Sequence, residues 1–294
     1  MTSAAVKHIG QAFGSECRLA WALLVQGPQR MPVPWRWHRW SALGARGASH
    51  GFAAPGWMLV FWAVYLAGIV GLRGVSRVLS FQRSRSLGRW VSVVHNLVLA
   101  GWSAIMFVGI VSALLQTAAS RADGVAATFC SRDFGSFAPS VYYWLYMFYL
   151  SKPYELLDTL LLTARGKPLT ALHVWHHLSV VAEAWCWLQY GLTFAAYGML
   201  FNTAVHMLMY SYFAYASLGW RFPLKRYITQ FQIVQFVASF VLTVPYLLLY
   251  AQRRHGCLGM PALLVSTFCN ASYLALFVQF YKRTYGPPPA RKVL

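Results

Sequence analysis

The stretch from Lys152 to His177, KPYELLDTLLLTARGKPLTALHVWHH, carries an uncommon set of polar side chains through an apolar setting. Lys152, Glu155 and Asp158 fall at three-residue intervals in an apolar run, and His173, His176 and His177 follow. A charge at the centre of a lipid-embedded helix costs roughly 2.5–3.5 kcal/mol, so such charges face protein or a water-filled cavity. Side chains three and four positions apart share one helical face, which sets the three imidazoles side by side. Packing does not explain three imidazoles on one face inside a membrane. Imidazole can serve as acid, base, nucleophile or metal ligand near neutral pH. These residues are therefore read as an active site. His95, isolated in an apolar run, reads instead as a satisfied structural histidine.

The elements that must position these groups are membrane spans. Of the 294 residues, 58% are hydrophobic and 11% are charged, against about 25% charged in a soluble domain. The apolar excess comes in long runs, which points to an all-α, polytopic membrane protein. Seven segments are drawn: Trp57–Leu72, Trp90–Leu115, Pro139–Thr163, Thr170–Tyr190, Leu192–Leu218, Ile228–Tyr250 and Met260–Phe280. Residues 1–56 form a basic tail rich in Arg, Pro and Trp, read as flexible or interfacial. Residues 57–285 form the seven-helix domain and residues 286–294 a C-terminal tail. The formal net charge of +19 would suggest nucleic acid in a soluble chain. Here Lys and Arg sit between spans, where they set topology, so nucleic-acid binding is set aside.

Charge placement orients the spans. With a lumenal N-terminus, the cytosolic loops hold Arg73, Arg77, Arg83, Arg85 and Arg89, then Arg165 and Lys167, then Arg221, Lys225 and Arg226, then Lys282, Arg283, Arg291 and Lys292. The short lumenal loops hold only Arg121, Arg132, Arg253 and Arg254. This is the positive-inside bias, with the C-terminus cytosolic. Arg291-Lys292 at that end resembles a dibasic retrieval signal and suggests the endoplasmic reticulum membrane. Cys130 and Cys257 both fall on the oxidising lumenal side, where a disulfide between them is expected. Cys186, near the lumenal end of its span, is not expected to act as a nucleophile.

A helix rises about 1.5 Å per residue, and counting from the span ends brings polar residues to one cytosolic-half layer. The third span supplies Lys152, Glu155 and Asp158, and the fourth His173, His176 and His177. The fifth supplies Asn202, His206, Met209, Tyr210 and Tyr212, and the sixth Gln232 and Gln235. Two chemistries fit the histidines. One is metal binding, since His-x-x-His-His is one box of the membrane di-iron desaturases and hydroxylases and imidazole binds iron well. Those enzymes use several such boxes. Of the nine histidines, His8, His38, His50 and His255 lie in the tail or on the far side, so a di-iron site is short of ligands. The other is nucleophilic or acid–base work on an acyl group.

Four motifs, in order, resemble those of the ELO family of very-long-chain fatty acid elongases. They are Lys152-x-x-Glu155-x-x-Asp158-Thr159, preceded by Phe148-Tyr149-x-Ser151; His173-x-x-His176-His177; Asn202-x-x-x-His206-x-x-Met209-Tyr210-x-Tyr212; and Thr229-x-x-Gln232-x-x-Gln235-Phe236. Phe213 stands where the third motif usually ends in Tyr. The resemblance runs from about Trp57 to Tyr285. It implies seven helices, six of them around a tunnel closed at the lumenal end. It implies condensation of a long-chain acyl-CoA with malonyl-CoA, giving 3-oxoacyl-CoA, CoA and carbon dioxide. His176 would form an acyl-imidazole, His206 would act on the malonyl group, and His173 and His177 would orient or shuttle protons. Direct condensation, with histidine acting only as base, is the alternative within the family. No cofactor or bound metal is expected. The implied partners are the two CoA thioesters, membrane lipid and other enzymes of the elongation cycle, with a homodimer left open.

The remaining motif residues are read as support. Lys152, Glu155 and Asp158 are expected to form one buried ion network that positions the histidines. Gln232 and Gln235 are expected to reach the CoA arm or the histidines, and Tyr210 to line the cavity or pack. Lys167, Arg221, Lys225 and Arg226 are candidates for the CoA phosphates. A di-iron desaturase or hydroxylase and a seven-helix receptor or transporter are the competing readings.

Overall fold

A backbone in lipid must satisfy its own hydrogen bonds, and apolar runs therefore become helices. The computed structural model describes residues 56–78, 85–132, 138–220, 223–253 and 256–287. The basic tail, Arg83, Arg221, Arg254, His255 and the dibasic Arg291-Lys292 lie outside the described residues. The helices are α1 (Gly56–Val78), α2 (Arg85–Ser120), α3 (Ala126–Phe129), α4 (Pro139–Glu155), α5 (Leu157–Ala164), α6 (Ala171–Gln189), α7 (Ala195–Ser217), α8 (Lys225–Gln252) and α9 (Met260–Tyr285). No strand occurs among the described residues. Segments Gly56–Gly74, Gly88–Ser120, Lys225–Gln252 and Met260–Tyr285 are each long and apolar enough to cross a membrane. The protein is a multi-pass membrane protein.

Six helices pack in a closed ring, in the order α2, α7, α8, α9, α6, α4 and back to α2. The α2–α7 contact is the most extensive, while α1 stands outside the ring against α5 and α6. Gly109 lets α2 and α4 approach, because a Cβ there would collide with the indole of Trp144. The expected third span is two helices rather than one. Pro153 lies inside α4 and removes a backbone donor, and the chain restarts as α5 after Leu156. Thr170 caps the histidine helix, its hydroxyl accepting from the His173 amide at 3.2 Å. The expected disulfide is present: Cys130 and Cys257 are joined, with Cα atoms 5.3 Å apart. Around it Leu258 N donates to Ser131 O at 2.8 Å, and Arg253 pairs with Asp123 at 2.8 Å. The α2–α4 and α8–α9 connections are thereby tied together at one end of the ring.

Candidate active site

At the other end, the ring encloses a cavity of about 900 Å³. His173, His176 and His177 from α6 line it, as do Asn202, His206 and Tyr210 from α7 and Gln232 and Gln235 from α8. The helical spacing sets the imidazoles together: the His173 and His177 rings are 4.4 Å apart, and His176 meets His177 edge-on at 5.5 Å. Glu155 and Asp158 also reach the cavity, whereas Lys152 stands behind Glu155. Arg89, Arg165, Lys167 and Lys225 line its helix-end rim.

The three charged motif residues make two centres, not one network. Lys152 Nζ donates to Glu155 Oε1 at 2.8 Å, with side chains only 1% and 2% exposed. Ser151 Oγ donates to the same oxygen at 2.9 Å, and the ammonium lies 3.7 Å from the centroid of the Phe148 ring. Glu155 Oε2 makes no hydrogen bond among the described residues and lies 3.8 Å from His206 Nδ1. Asp158 belongs elsewhere, because the break after Glu155 puts it in the first turn of α5. Its carboxylate meets His95 Nε2 at 2.7 Å and accepts from the Tyr210 hydroxyl at 2.7 Å. His95 is satisfied, as its isolation suggested, but it also lines the cavity. His173 Nε2 faces Thr159 Oγ1 at 2.7 Å.

Other assignments move. Gln232 Nε2 points to Met209 Sδ at 3.5 Å rather than to a histidine. Gln235 Oε1, Asn202 Oδ1 and His177 Nδ1 are buried and make no hydrogen bond among the described residues. Arg226 does not line the cavity; it donates to the Tyr281 hydroxyl at 2.8 Å, so its guanidinium is engaged elsewhere. Cys186 is buried in α6 and does not line the cavity either. Among the described residues, no group of three or more His, Cys, Asp or Glu converges as a metal site would.

Four residues at or beside the site escaped sequence reasoning. Arg89 and Arg165 complete the basic rim. Tyr273 packs its ring 5.1 Å from that of His176 and shares a 2.7 Å hydrogen bond with Ser179. Glu183 of α6, 3% exposed, lies beside Tyr273 and Ser266 of α9. An acid in an apolar span was the signal for Glu183; Tyr273 offered none, since one tyrosine in an aromatic-rich helix is ordinary.

The site brings three neighbouring imidazoles of α6 to a cavity inside a helix ring. The GNS1/SUR4 (ELO) family matches residues 52–293. The chain belongs to the ELO family. Among its relatives, fatty acid elongase sre1 of Dictyostelium discoideum is 33% identical over 195 residues, 66% of this chain and 72% of that protein. Long chain fatty acid elongase 1 of Caenorhabditis elegans is 33% identical over 210 residues, 70% and 69% of the two chains. Fatty acid elongase 1 of Trypanosoma brucei brucei is 34% identical over 206 residues, 68% and 67%. The family match takes in all four motifs of this ELO chain.

Proposed function

We propose that this ELO-family chain is a fatty acid elongase that condenses a long-chain acyl-CoA with malonyl-CoA. The observation that carries the reading is that His176 and His206 line one cavity with a basic rim. Its volume of about 900 Å³ is in the range of ligand sites, about 300–1,000 Å³. The rim cations suit CoA phosphates, while the apolar interior suits an acyl tail.

In the first step an imidazole nitrogen of His176 attacks the thioester carbonyl. The carbon–sulfur bond breaks, the thiolate leaves as CoA and takes a proton, and the acyl group stays on His176. In the second step malonyl-CoA loses carbon dioxide, and the electron pair of the broken bond forms the new carbon–carbon bond to the acyl carbon. The acyl–nitrogen bond breaks and restores His176. The balance is acyl-CoA plus malonyl-CoA plus one proton, giving 3-oxoacyl-CoA, CoA and carbon dioxide. His206 polarises the malonyl thioester, with Glu155 beside its Nδ1.

The seven spans are α1, α2, α4 with α5, α6, α7, α8 and α9. The disulfide end is lumenal and the basic rim cytosolic in the endoplasmic reticulum membrane, which agrees with the oxidised Cys130–Cys257 pair lying opposite the rim. Acyl-CoA, malonyl-CoA and lipid are its partners, and the other elongation-cycle enzymes receive its product.

The test is peptide mass spectrometry of the purified chain after incubation with a long-chain acyl-CoA alone. An acyl mass on His176, discharged by malonyl-CoA with release of 3-oxoacyl-CoA and absent in His176→Ala, is expected. Chain extension without an adduct would select direct condensation. No extension with acyl chains of any length would remove the elongase reading.

A further inference from the structure

Helix α1 lies outside the ring, yet one of its side chains is joined to the histidine box. The Tyr65 hydroxyl is 2.9 Å from Thr159 Oγ1, and Thr159 Oγ1 is 2.7 Å from His173 Nε2. Tyr65 is 3% exposed and Thr159 is fully buried. Neither residue lines the cavity, whereas His173 does. The chain Tyr65–Thr159–His173 thus starts on a peripheral helix and ends at the reacting surface.

The direction of the proton chain follows from the donors available. A hydroxyl has one proton to give and two lone pairs to accept with. A phenol is the stronger acid and the poorer acceptor, so Tyr65 donates to Thr159. Thr159 then spends its single proton on His173 Nε2. The Thr163 hydroxyl does not compete, because it donates to the Thr159 carbonyl at 2.8 Å. In that order of donation His173 Nε2 is the acceptor, which puts the ring proton on Nδ1. Hydrogen-bond partners of this kind commonly fix both tautomer and orientation of a working histidine.

We infer that Tyr65 is a positioning residue for the condensation, holding His173 through Thr159 in the Nδ1–H tautomer. The inference rests on the elongase reading and adds to it a residue from outside the motifs. Helix α1 is then part of the catalytic apparatus rather than an anchor alone. Trp62 provides the control. It docks the same helix, its indole N–H donating to the Leu178 carbonyl at 2.9 Å, but it has no part in the relay.

The experiment compares full-length wild type, Tyr65→Phe and Trp62→Phe in lipid nanodiscs, with steady-state kinetics and ¹⁵N-histidine solid-state NMR, the His173 signal being assigned from His173→Gln. One lost neutral hydrogen bond corresponds to roughly a three- to tenfold change. Tyr65→Phe should lower kcat by that factor with both KM values unchanged, and should add the Nε2–H tautomer to the His173 signal. Thr159→Ser, which keeps the hydroxyl, should retain the wild-type tautomer. Trp62→Phe should alter neither kcat nor tautomer. An unchanged kcat or tautomer in Tyr65→Phe, or an equal loss of kcat in Trp62→Phe, overturns the assignment. A wild-type chain with His173 in the Nδ1–H form but no chain extension would instead defeat the elongase reading alone.

Discussion

Replacing Lys152 by Met leaves Glu155 as a bare carboxylate inside the helix ring. The two side chains are 1% and 2% exposed, and their contact is 2.8 Å. Removing one partner of such a pair costs about 3–5 kcal/mol, because the remaining charge is left without its counter-ion. The Ser151 bond to Oε1 is present with or without Lys152, so it does not cushion the loss. Replacing both partners removes the uncompensated charge, and buried pairs replaced in this way often end near the starting stability. The double variant Lys152→Met/Glu155→Gln should therefore regain at least about 2 kcal/mol over Lys152→Met. Activity should not return with stability, since Glu155 Oε2 lies 3.8 Å from His206 Nδ1 and the variant has no charge there. SDS-titrated unfolding in detergent micelles measures the first quantity, and extension of acyl-CoA by labelled malonyl-CoA the second. A Lys152→Met chain within about 1 kcal/mol of wild type would refute the uncompensated-charge reasoning. A double variant with wild-type turnover would refute the link from Glu155 to His206.

Tyr210→Phe deletes a donor to the Asp158 carboxylate and should lower stability by about 1.5–3 kcal/mol in the same titration, as loss of a bond to a charged group does. Cys130→Ser opens a crosslink across a sequence separation of 127 residues and should cost about 2–5 kcal/mol. Dithiothreitol should reproduce that loss in wild type and leave the variant unchanged. At the rim, Lys167→Ala should raise the KM for acyl-CoA about three- to tenfold, as expected for a lost phosphate contact. Arg226→Ala should leave it nearly unchanged, because that guanidinium is bonded to Tyr281; the reverse order in steady-state assays would misplace the CoA arm.

The one-dimensional pattern determined the class of protein and which histidines share one helical face. Long apolar runs leave a chain no alternative to helices in lipid, and His173, His176 and His177 share a face by spacing alone. The Cys130–Cys257 pair was also legible, since counting spans places both cysteines in connections at one end of the helices. Tertiary structure decided the partners. Asp158 looked like a member of the Lys152–Glu155 series while the span was taken as continuous; the break at Leu156 gave it to His95 and Tyr210. Arg226 shares its charge and the first turn of α8 with Lys225, yet Lys225 lines the cavity and Arg226 bonds Tyr281. Tyr65 and Tyr273 carried no signal, because the partner that each bonds lies 94 residues away in sequence, Thr159 for Tyr65 and Ser179 for Tyr273. Spacing along a helix reports which side chains share a face, whereas the choice between two faces of two helices belongs to the packing of the ring.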